Sequence, residues 1–333
     1  MEPIGHGLGL QFYTPVLRRG NLCGVMTTNQ HIAVVFPGQG SQSLGMADPW
    51  VAHPAGRAAL EEASDSMGED VVAGCHDEAR LATTGFVQPA LLACDVAAFR
   101  VIRAEGVEVA GVAGHSLGEF AALVAAEVLT LPEAVAVVVT RGRAMQRAGE
   151  ERPGTMTALL GIDGEGAATL CAEARGDDVL VVANENSPVQ SVISGSVPAI
   201  ERAEALARDR KVRAVRLNVA GAFHSPLMEP AVAPILEALA SVEPRPPRLP
   251  VAENVAGAIV DDGDRLRELI GRQVVSAVRW VGCAQALAAA GATTFLEAGP
   301  GDVLTKLAKR VVPGARALSI GSPEDAQTLS SAP

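Results

Sequence analysis

Val107-Glu108-Val109-Ala110-Gly111-Val112-Ala113-Gly114-His115-Ser116-Leu117-Gly118-Glu119-Phe120-Ala121-Ala122-Leu123-Val124-Ala125-Ala126 reads as an apolar strand, a turn bounded by two glycines, and an apolar helix. A serine centred in Gly-x-Ser-x-Gly at such a junction marks a nucleophile elbow, where the chain turns so sharply that only glycine fits on either flank. The turn pushes the Ser116 hydroxyl into a cleft and aims the Leu117 amide at the same place from a helix N-terminus. That pairing suits acyl transfer through a serine ester, because the amide stabilises the oxyanion formed when the hydroxyl attacks. Taken alone, the pattern also fits a glycine-bounded turn without chemistry. The strand before it and the helix after it favour the elbow.

The composition around this junction is that of a globular α/β protein. The chain has 333 residues, 48% of them hydrophobic and 20% charged, enough for one large domain and a smaller one. Aromatic residues make up only 3%, so the core must be built from small aliphatic side chains packed between helices and strands. A net charge of −11 argues against a nucleic-acid partner, which requires clustered positive charge in excess. One basic cluster stands out: Arg208, Arg210, Lys211, Arg213 and Arg216. It reads as a solvated helix end and strand face, and in an acidic chain it is also where an acidic partner can dock.

The five cysteines (Cys23, Cys75, Cys94, Cys171, Cys283) are scattered, odd in number and without C-x-x-C spacing. They are expected to be reduced thiols of a cytoplasmic protein, neither a zinc site nor a disulfide framework. Apolar stretches are broken by charge, proline or glycine before about 18 residues, so no membrane span is expected. Residues 1–30 carry Glu2, Pro3, Pro15 and Arg18-Arg19 without a following apolar core, unlike a signal peptide. With Met26 just ahead of the first strand, they read as a poorly ordered extension.

Ile32-Ala33-Val34-Val35-Phe36 is a fully apolar strand that stops in Pro37-Gly38-Gln39-Gly40-Ser41-Gln42, a glycine-rich loop of the kind that binds ligands at the carboxyl edge of a parallel sheet. Helical periodicity covers 54–67 and 88–105, with Pro89 suited to a first turn, and continues over 132–149 beyond the elbow helix. From 154 to 220 the units shorten: strand 155–160, helix 165–174, strands 179–184 and 189–194, helix 198–208, strand 212–219. This β-α-β-β-α-β order is ferredoxin-like. A helix over 226–239, a strand at 251–252, helices near 264–276 and 280–290, and a strand over 293–297 complete the larger unit. The expected architecture is therefore an α/β-hydrolase-like large subdomain with a parallel sheet core, formed by 31–153 and 221–320, into which a ferredoxin-like small subdomain, 154–220, is inserted. Residues 321–333 read as a frayed polar tail.

A serine hydroxyl needs a base, most often histidine. Of the six, His6 lies in the extension, His31 precedes the first strand, His53 enters a polar helix and His76 sits in an acidic segment. His115 adjoins Ser116 but points elsewhere at such a turn, so it buttresses the elbow. His224, in Val219-Ala220-Gly221-Ala222-Phe223-His224-Ser225-Pro226, leaves the last small-subdomain strand and enters a helix, where it can line a cleft. No acidic residue presents itself as a third triad member. A backbone carbonyl can fix the imidazole tautomer instead.

Phe36-Pro37-Gly38-Gln39-Gly40-Ser41-Gln42, Gly114-His115-Ser116-Leu117-Gly118-Glu119 and Gly221-Ala222-Phe223-His224 occur in this order, together with Gln88-Pro89-Ala90-Leu91-Leu92, Arg141-Gly142-Arg143-Ala144-Met145-Gln146, Asn186-Ser187-Pro188 and Glu297-Ala298-Gly299-Pro300-Gly301. The ordered set, spanning about 31–320, resembles the malonyl-CoA:acyl carrier protein transacylases of fatty acid synthesis and the acyltransferases of polyketide synthases. The resemblance implies that Ser116 is acylated, that His224 is general base and acid, and that the amides of Gln39 and Leu117 form the oxyanion hole. It further implies that Arg141 pairs with the free carboxylate of the substrate, that the Gln273 carbonyl orients His224, and that His115 and Gln39 line the substrate site. Phe223 accompanies malonyl over α-branched extenders, since its ring fills the space a branch needs, although one methyl group is worth only about 1 to 3 kcal/mol.

The implied partners are malonyl-CoA and a phosphopantetheinylated acyl carrier protein, with no metal or redox cofactor, no nucleic acid and no membrane, the enzyme acting as a monomer. Carrier proteins of this kind are acidic, so docking on a chain of net charge −11 calls for a local positive patch. The basic cluster at 208–216 together with Lys306, Lys309 and Arg310 is the candidate. Two rival readings share the fold: a Ser-His-Asp hydrolase with water as acceptor, against which Arg141 and the first loop argue, and a non-catalytic carrier-binding module.

Overall fold

The computed structural model describes residues 31–330. The extension read at 1–30, with His6, Cys23 and Met26, lies outside the described residues, as do 331–333. Among the described residues ten strands form two sheets: β1 Ile32–Phe36, β2 Gly111–Gly114, β3 Thr155–Leu160, β4 Leu180–Ser187, β5 Gln190–Gly195, β6 Arg213–Arg216, β7 Val251–Glu253, β8 Ala258–Val260, β9 Thr294–Ala298 and β10 Arg316–Ile320. The larger sheet has the order β10-β9-β1-β2-β7-β8, parallel throughout except for β8, which returns antiparallel along β7.

Every residue of β1, β2, β7 and β9 is buried, because helices cover both faces of the sheet. That explains why β1 and β2 read as continuous apolar runs instead of alternating ones. Side chains along β1 divide between two cores: Val34 and Phe36 join one apolar cluster, Ala33 and Val35 the other. The first packs under the helices Pro54–Met67, Thr84–Ala104 and Leu131–Glu151, and the second under Trp280–Ala289 and Val303–Val311.

Thr84–Ala104 is long and apolar enough to cross a membrane by length and composition, yet 83% of its most apolar window is buried inside the protein. It is the central core helix. Its start corrects the sequence reading, which placed Pro89 in the first turn. Burial of Thr84, Phe86 and Val87 extends the helix upstream, so Pro89 lies inside it and the carbonyl of Gly85 forgoes its helical donor. The Gly85 amide is satisfied from a distance, donating to Gln146 Oε1 at 3.2 Å.

The small sheet has the order β4-β5-β3-β6, antiparallel throughout, with helices Gly164–Ala174 and Val197–Asp209 on one face. Period-2 alternation along β3 divides its side chains. Leu159 faces the two helices, whereas Met156 and Ala158 face the main core. Backbone bonds at the edge of β4, from Glu185 N to Val278 O at 2.9 Å and from Val278 N to Ala183 O at 2.8 Å, fasten the insertion to the large subdomain.

The end of the chain also differs from expectation. Pro323–Ser330 is a helix, not a frayed tail. Asp325 Oδ2 accepts from the amides of Gly321 and Ser322 at its start, and Ala326 is wholly buried against the core. The few anchors of this helix, Pro323, Ala326 and the half-buried Leu329, leave little periodic signal in so short and polar a segment. The edge strands β8 and β10, the first of them mostly exposed, went unread for a similar reason.

Candidate active site

β2 ends at Gly114, and the helix Gly118–Ala125 starts four residues later. A Cβ on Gly114 would strike the backbone of Gly118, and one on Gly118 would strike the carbonyl of Phe36. The turn can therefore be made only with glycine at both places. Ser116 takes a left-handed backbone, φ 53°, and so does His224, φ 58°. Such conformations cost non-glycine residues about 1–2 kcal/mol. At the elbow the conformation is held by bonds from outside: Asn254 Oδ1 accepts from the Ser116 amide at 2.8 Å, while Asn254 Nδ2 donates to Gly114 O at 2.7 Å.

The two strained residues meet. Ser116 Oγ lies 2.7 Å from His224 Nε2. On its other side the ring presents Nδ1 to two backbone carbonyls, Gln273 O at 2.9 Å and Ser276 O at 3.1 Å. Carbonyls only accept, so the proton resides on Nδ1 and the Nε2 lone pair faces the hydroxyl. Burial first, and then the charge of Arg141, lower the His224 pKa to about 3, which keeps the imidazole neutral.

Arg141 projects from the helix Leu131–Glu151 and is 1% exposed. Its Nη1 donates to Gln88 Oε1 at 2.7 Å, and its Nη2 donates to Gln273 Oε1 at 2.8 Å and Ser116 Oγ at 3.1 Å. Three of five donors are thus engaged, and the buried Nε–H has no partner. Desolvation lowers its pKa to about 10, so it remains cationic at neutral pH.

A cavity of about 100 Å³ beside the hydroxyl is lined by Gln39, His115, Leu117, Arg141, Met145, Phe223 and His224, among others. No hydrogen bond among the described residues engages the amides of Gln39 or Leu117, which border it. His115 Nε2 pairs with Asn186 Oδ1 at 2.9 Å, tying the elbow to the small subdomain. A second, wider opening of about 350 Å³ runs outward between Gly38–Ser41, Asn184, Asn186, Leu217–Val219 and Val303–Leu307. The arrangement sets a hydroxyl against a neutral imidazole and within one hydrogen bond of a buried cation, beside a cavity bordered by two residues whose amides have no hydrogen bond among the described residues.

Residues 33–328 match the family model for the acyl transferase domain. The chain belongs to the acyl transferase family. Among curated relatives it is 40% identical over 298 residues to the malonyl CoA-acyl carrier protein transacylase of Escherichia coli K12, covering 87% of this chain and 96% of the other. It is 38% identical over 296 residues to that of Haemophilus influenzae, covering 86% and 94%. The crystal structure of malonyl-CoA:acyl carrier protein transacylase from Xanthomonas oryzae pv. oryzae superposes with a TM-score of 0.87 at 42% identity, covering 91% of this chain and 98% of that one. A type II polyketide synthase acyl-carrier protein in complex with its malonyl-transacylase gives a TM-score of 0.86 at 37% identity, covering 90% and 99%.

Several polar residues of this acyltransferase site were not singled out from the sequence. Asn254 follows β7 directly, and a lone amide at the carboxyl end of a buried strand was the available signal. Gln88 and Glu119 stood only as letters in longer motifs, although each is fully buried. Ser276 acts through its backbone, for which no side-chain signal exists.

The basic residues do not form one free patch. Arg210 pairs with Glu173, Arg216 with Glu204 at 2.7 Å and Lys306 with Asp302 at 2.7 Å, while Arg310 donates to Gln190 Oε1 at 3.3 Å. Arg208, Lys211, Arg213 and Lys309 are exposed without an ion pair among the described residues. Arg208 lies at the end of the helix Val197–Asp209, Lys211 in the turn after it and Arg213 at the start of β6, while Lys309 lies on the helix Val303–Val311; none of them lines the wider opening.

Proposed function

We propose that the chain transfers a malonyl group from malonyl-CoA to the phosphopantetheine thiol of an acyl carrier protein, in fatty acid or polyketide synthesis, through an ester on Ser116. In the first half-reaction Ser116 Oγ attacks the thioester carbon as its proton passes to His224 Nε2. The amides of Gln39 and Leu117 receive the oxyanion. Collapse breaks the carbon–sulfur bond, and the CoA sulfur leaves with the proton from His224. In the second half the carrier thiol gives its proton to His224 and attacks the ester carbonyl. Ser116 Oγ then departs and recovers that proton.

Arg141 selects the acyl group. A malonyl carboxylate accepts along one edge of the guanidinium, from the unpartnered Nε–H and from the adjacent Nη2–H that Ser116 Oγ gives up on acylation, whereas an acyl group without a carboxylate leaves a desolvated cation uncompensated. The bound carboxylate also offsets the positive charge that depresses His224, so the base strengthens when the correct substrate is present. Phe223, 6% exposed, walls the cavity where an α-branch would go.

The chemistry requires no metal or redox group, since the thioester is already activated. The enzyme works as a monomer in the cytoplasm, and the carrier approaches over Arg208, Lys211, Arg213 and Lys309.

The observation that carries this reading is the buried Arg141, with its Nη2 3.1 Å from the serine oxygen and an orphaned Nε. Incubation with malonyl-CoA is expected to add one malonyl mass to Ser116, and holo carrier protein is expected to remove it as malonyl-carrier. Release as free malonate at the same rate without carrier would assign the chain to hydrolysis instead.

A further inference from the structure

Glu119 occupies the first turn of the helix after the elbow and is fully buried. Among the described residues it has no ion pair, although placing a carboxyl group in the interior is costly. Its closest bond is with the side chain of Gln273: Gln273 Nε2 donates to Glu119 Oε2 at 2.6 Å. The same nitrogen donates to Ser116 O at 2.9 Å and approaches Asn254 Oδ1 at 3.4 Å. The opposite end of that amide, Oε1, accepts from Arg141 Nη2 at 2.8 Å.

The two ends of Gln273 are not interchangeable here. Arg141 has donors only, so an oxygen must face it; Glu119 Oε2 and Ser116 O present acceptors, so the nitrogen must face them. Reversal of the amide would set an NH₂ group against the guanidinium and an oxygen against two oxygens. Without the Glu119 oxygen, the far end keeps only one bond shorter than 3 Å, to the Ser116 carbonyl. The orientation is then weakly held. Whether the carboxyl is ionised does not alter this, since the oxygen facing Gln273 accepts in both states.

We propose that Glu119 is a positioning residue for acyl-group selection, acting through the side-chain amide of Gln273 on Arg141. Its oxygen fixes the Gln273 amide, the amide fixes Arg141 Nη2, and the remaining guanidinium donors are thereby aimed at the substrate carboxylate. An acetyl group makes no use of those donors. Loss of the Glu119 acceptor therefore falls on malonyl and largely spares acetyl, which separates positioning from a general structural role.

This inference rests on the proposed malonyl transfer, and labelling of the unsubstituted protein by malonyl-CoA tests that reading separately. The test compares Ser116 labelling by malonyl-CoA and acetyl-CoA, each followed by intact mass, in Glu119→Met and Glu119→Gln, with thermal melting as a check of folding. Methionine fills the space without a comparable acceptor; glutamine retains one. Glu119→Met is expected to lower the malonyl-to-acetyl ratio about tenfold or more, the scale of one charge-assisted hydrogen bond, while Glu119→Gln stays within about threefold. In a Gln273→Ala background, Glu119→Met is expected to change the ratio no further. If Glu119→Met does not fold, Glu119→Asp, which withdraws the carboxyl by one methylene, is expected to lower the ratio in the same direction. An unchanged ratio in the folded variant, equal losses on both acyl groups, or an additive effect in the Gln273→Ala background would overturn the assignment.

Discussion

Replacing Arg141 by alanine tests the acyl-selection reading most directly. In the structure the guanidinium retains an unpartnered Nε–H, and acylation of Ser116 releases the adjacent Nη2–H, so a malonyl carboxylate gains two charge-assisted hydrogen bonds along one edge. At about 1.5–3 kcal/mol each, their loss costs about 3–6 kcal/mol, or about 10²- to 10⁴-fold in kcat/KM for malonyl-CoA. Acetyl-CoA has no carboxylate to lose, so its labelling rate should change by less than about tenfold, and the malonyl preference should fall by at least about 10². Stability moves less predictably in size but not in origin. Gln88 Oε1 and Gln273 Oε1 each lose a buried donor, at about 1–3 kcal/mol apiece, against the relief of removing a desolvated charge. The assay is single-turnover acylation of Ser116 by either thioester, followed by intact mass, on protein shown to be folded by its melting transition. A folded Arg141→Ala variant that keeps its malonyl-to-acetyl ratio within about threefold of the parent would refute the clamp, because no buried ion pair can be removed so cheaply.

The acid limb of acylation should also be displaced. His224 acts when neutral and its pKa lies at about 3, so kcat/KM should hold through pH 6.5 and fall only towards the lower value; a limb centred on 6.5 contradicts the burial argument. The linked effect on folding has the same sign: unfolded His224 binds its proton below 6.5 while the folded residue does not, so its contribution to stability is complete above 6.5 and declines between 6.5 and about 3, as acid melting curves would record. Phe223→Ala should open the cavity wall and raise methylmalonyl relative to malonyl labelling by about tenfold, within the span expected for one methyl group, in a direct competition between the two thioesters. Charge reversal at Lys211 and Arg213 should raise the KM for carrier protein by about tenfold at low salt, with the loss confined to the transfer half-reaction and fading as salt increases; equal loss in serine labelling would remove the docking surface from the account.

How much of this was legible before the structure depends on how far each feature reaches along the chain. The elbow is local: both glycines are required by contacts within a few residues or with β1, and the pattern shows in eight letters. His224 emerged by elimination among six histidines, and its carbonyl partner followed from the absence of a suitable acid. Arg141 is different. Its burial depends on Gln88 and Gln273, 53 and 132 positions away, so nothing in its own helix distinguishes it from a surface arginine. Asn254 and Glu119 were hidden for the same reason, their roles being set by partners on other elements. β1 and β2 were readable because burial on both faces leaves an unbroken apolar run, whereas the edge strands β8 and β10 and the helix Pro323–Ser330 each gain too little buried surface to mark the sequence. At Thr84, tertiary burial overrode the local boundary that Pro89 announces.

The insertion of the small sheet between the serine and the histidine has an outcome for a chain emerging from the ribosome. A nascent polypeptide that has reached the last residue of β6 already holds the elbow, both amides and the arginine, but not the imidazole. Its innermost strand β1 still lacks β9, one of its two neighbours. Thioesters in the surrounding solution thus meet a hydroxyl without a proton acceptor until synthesis has passed residue 224. A truncation anywhere before residue 224 is therefore expected to leave the hydroxyl without its partner, whatever else of the fold has formed.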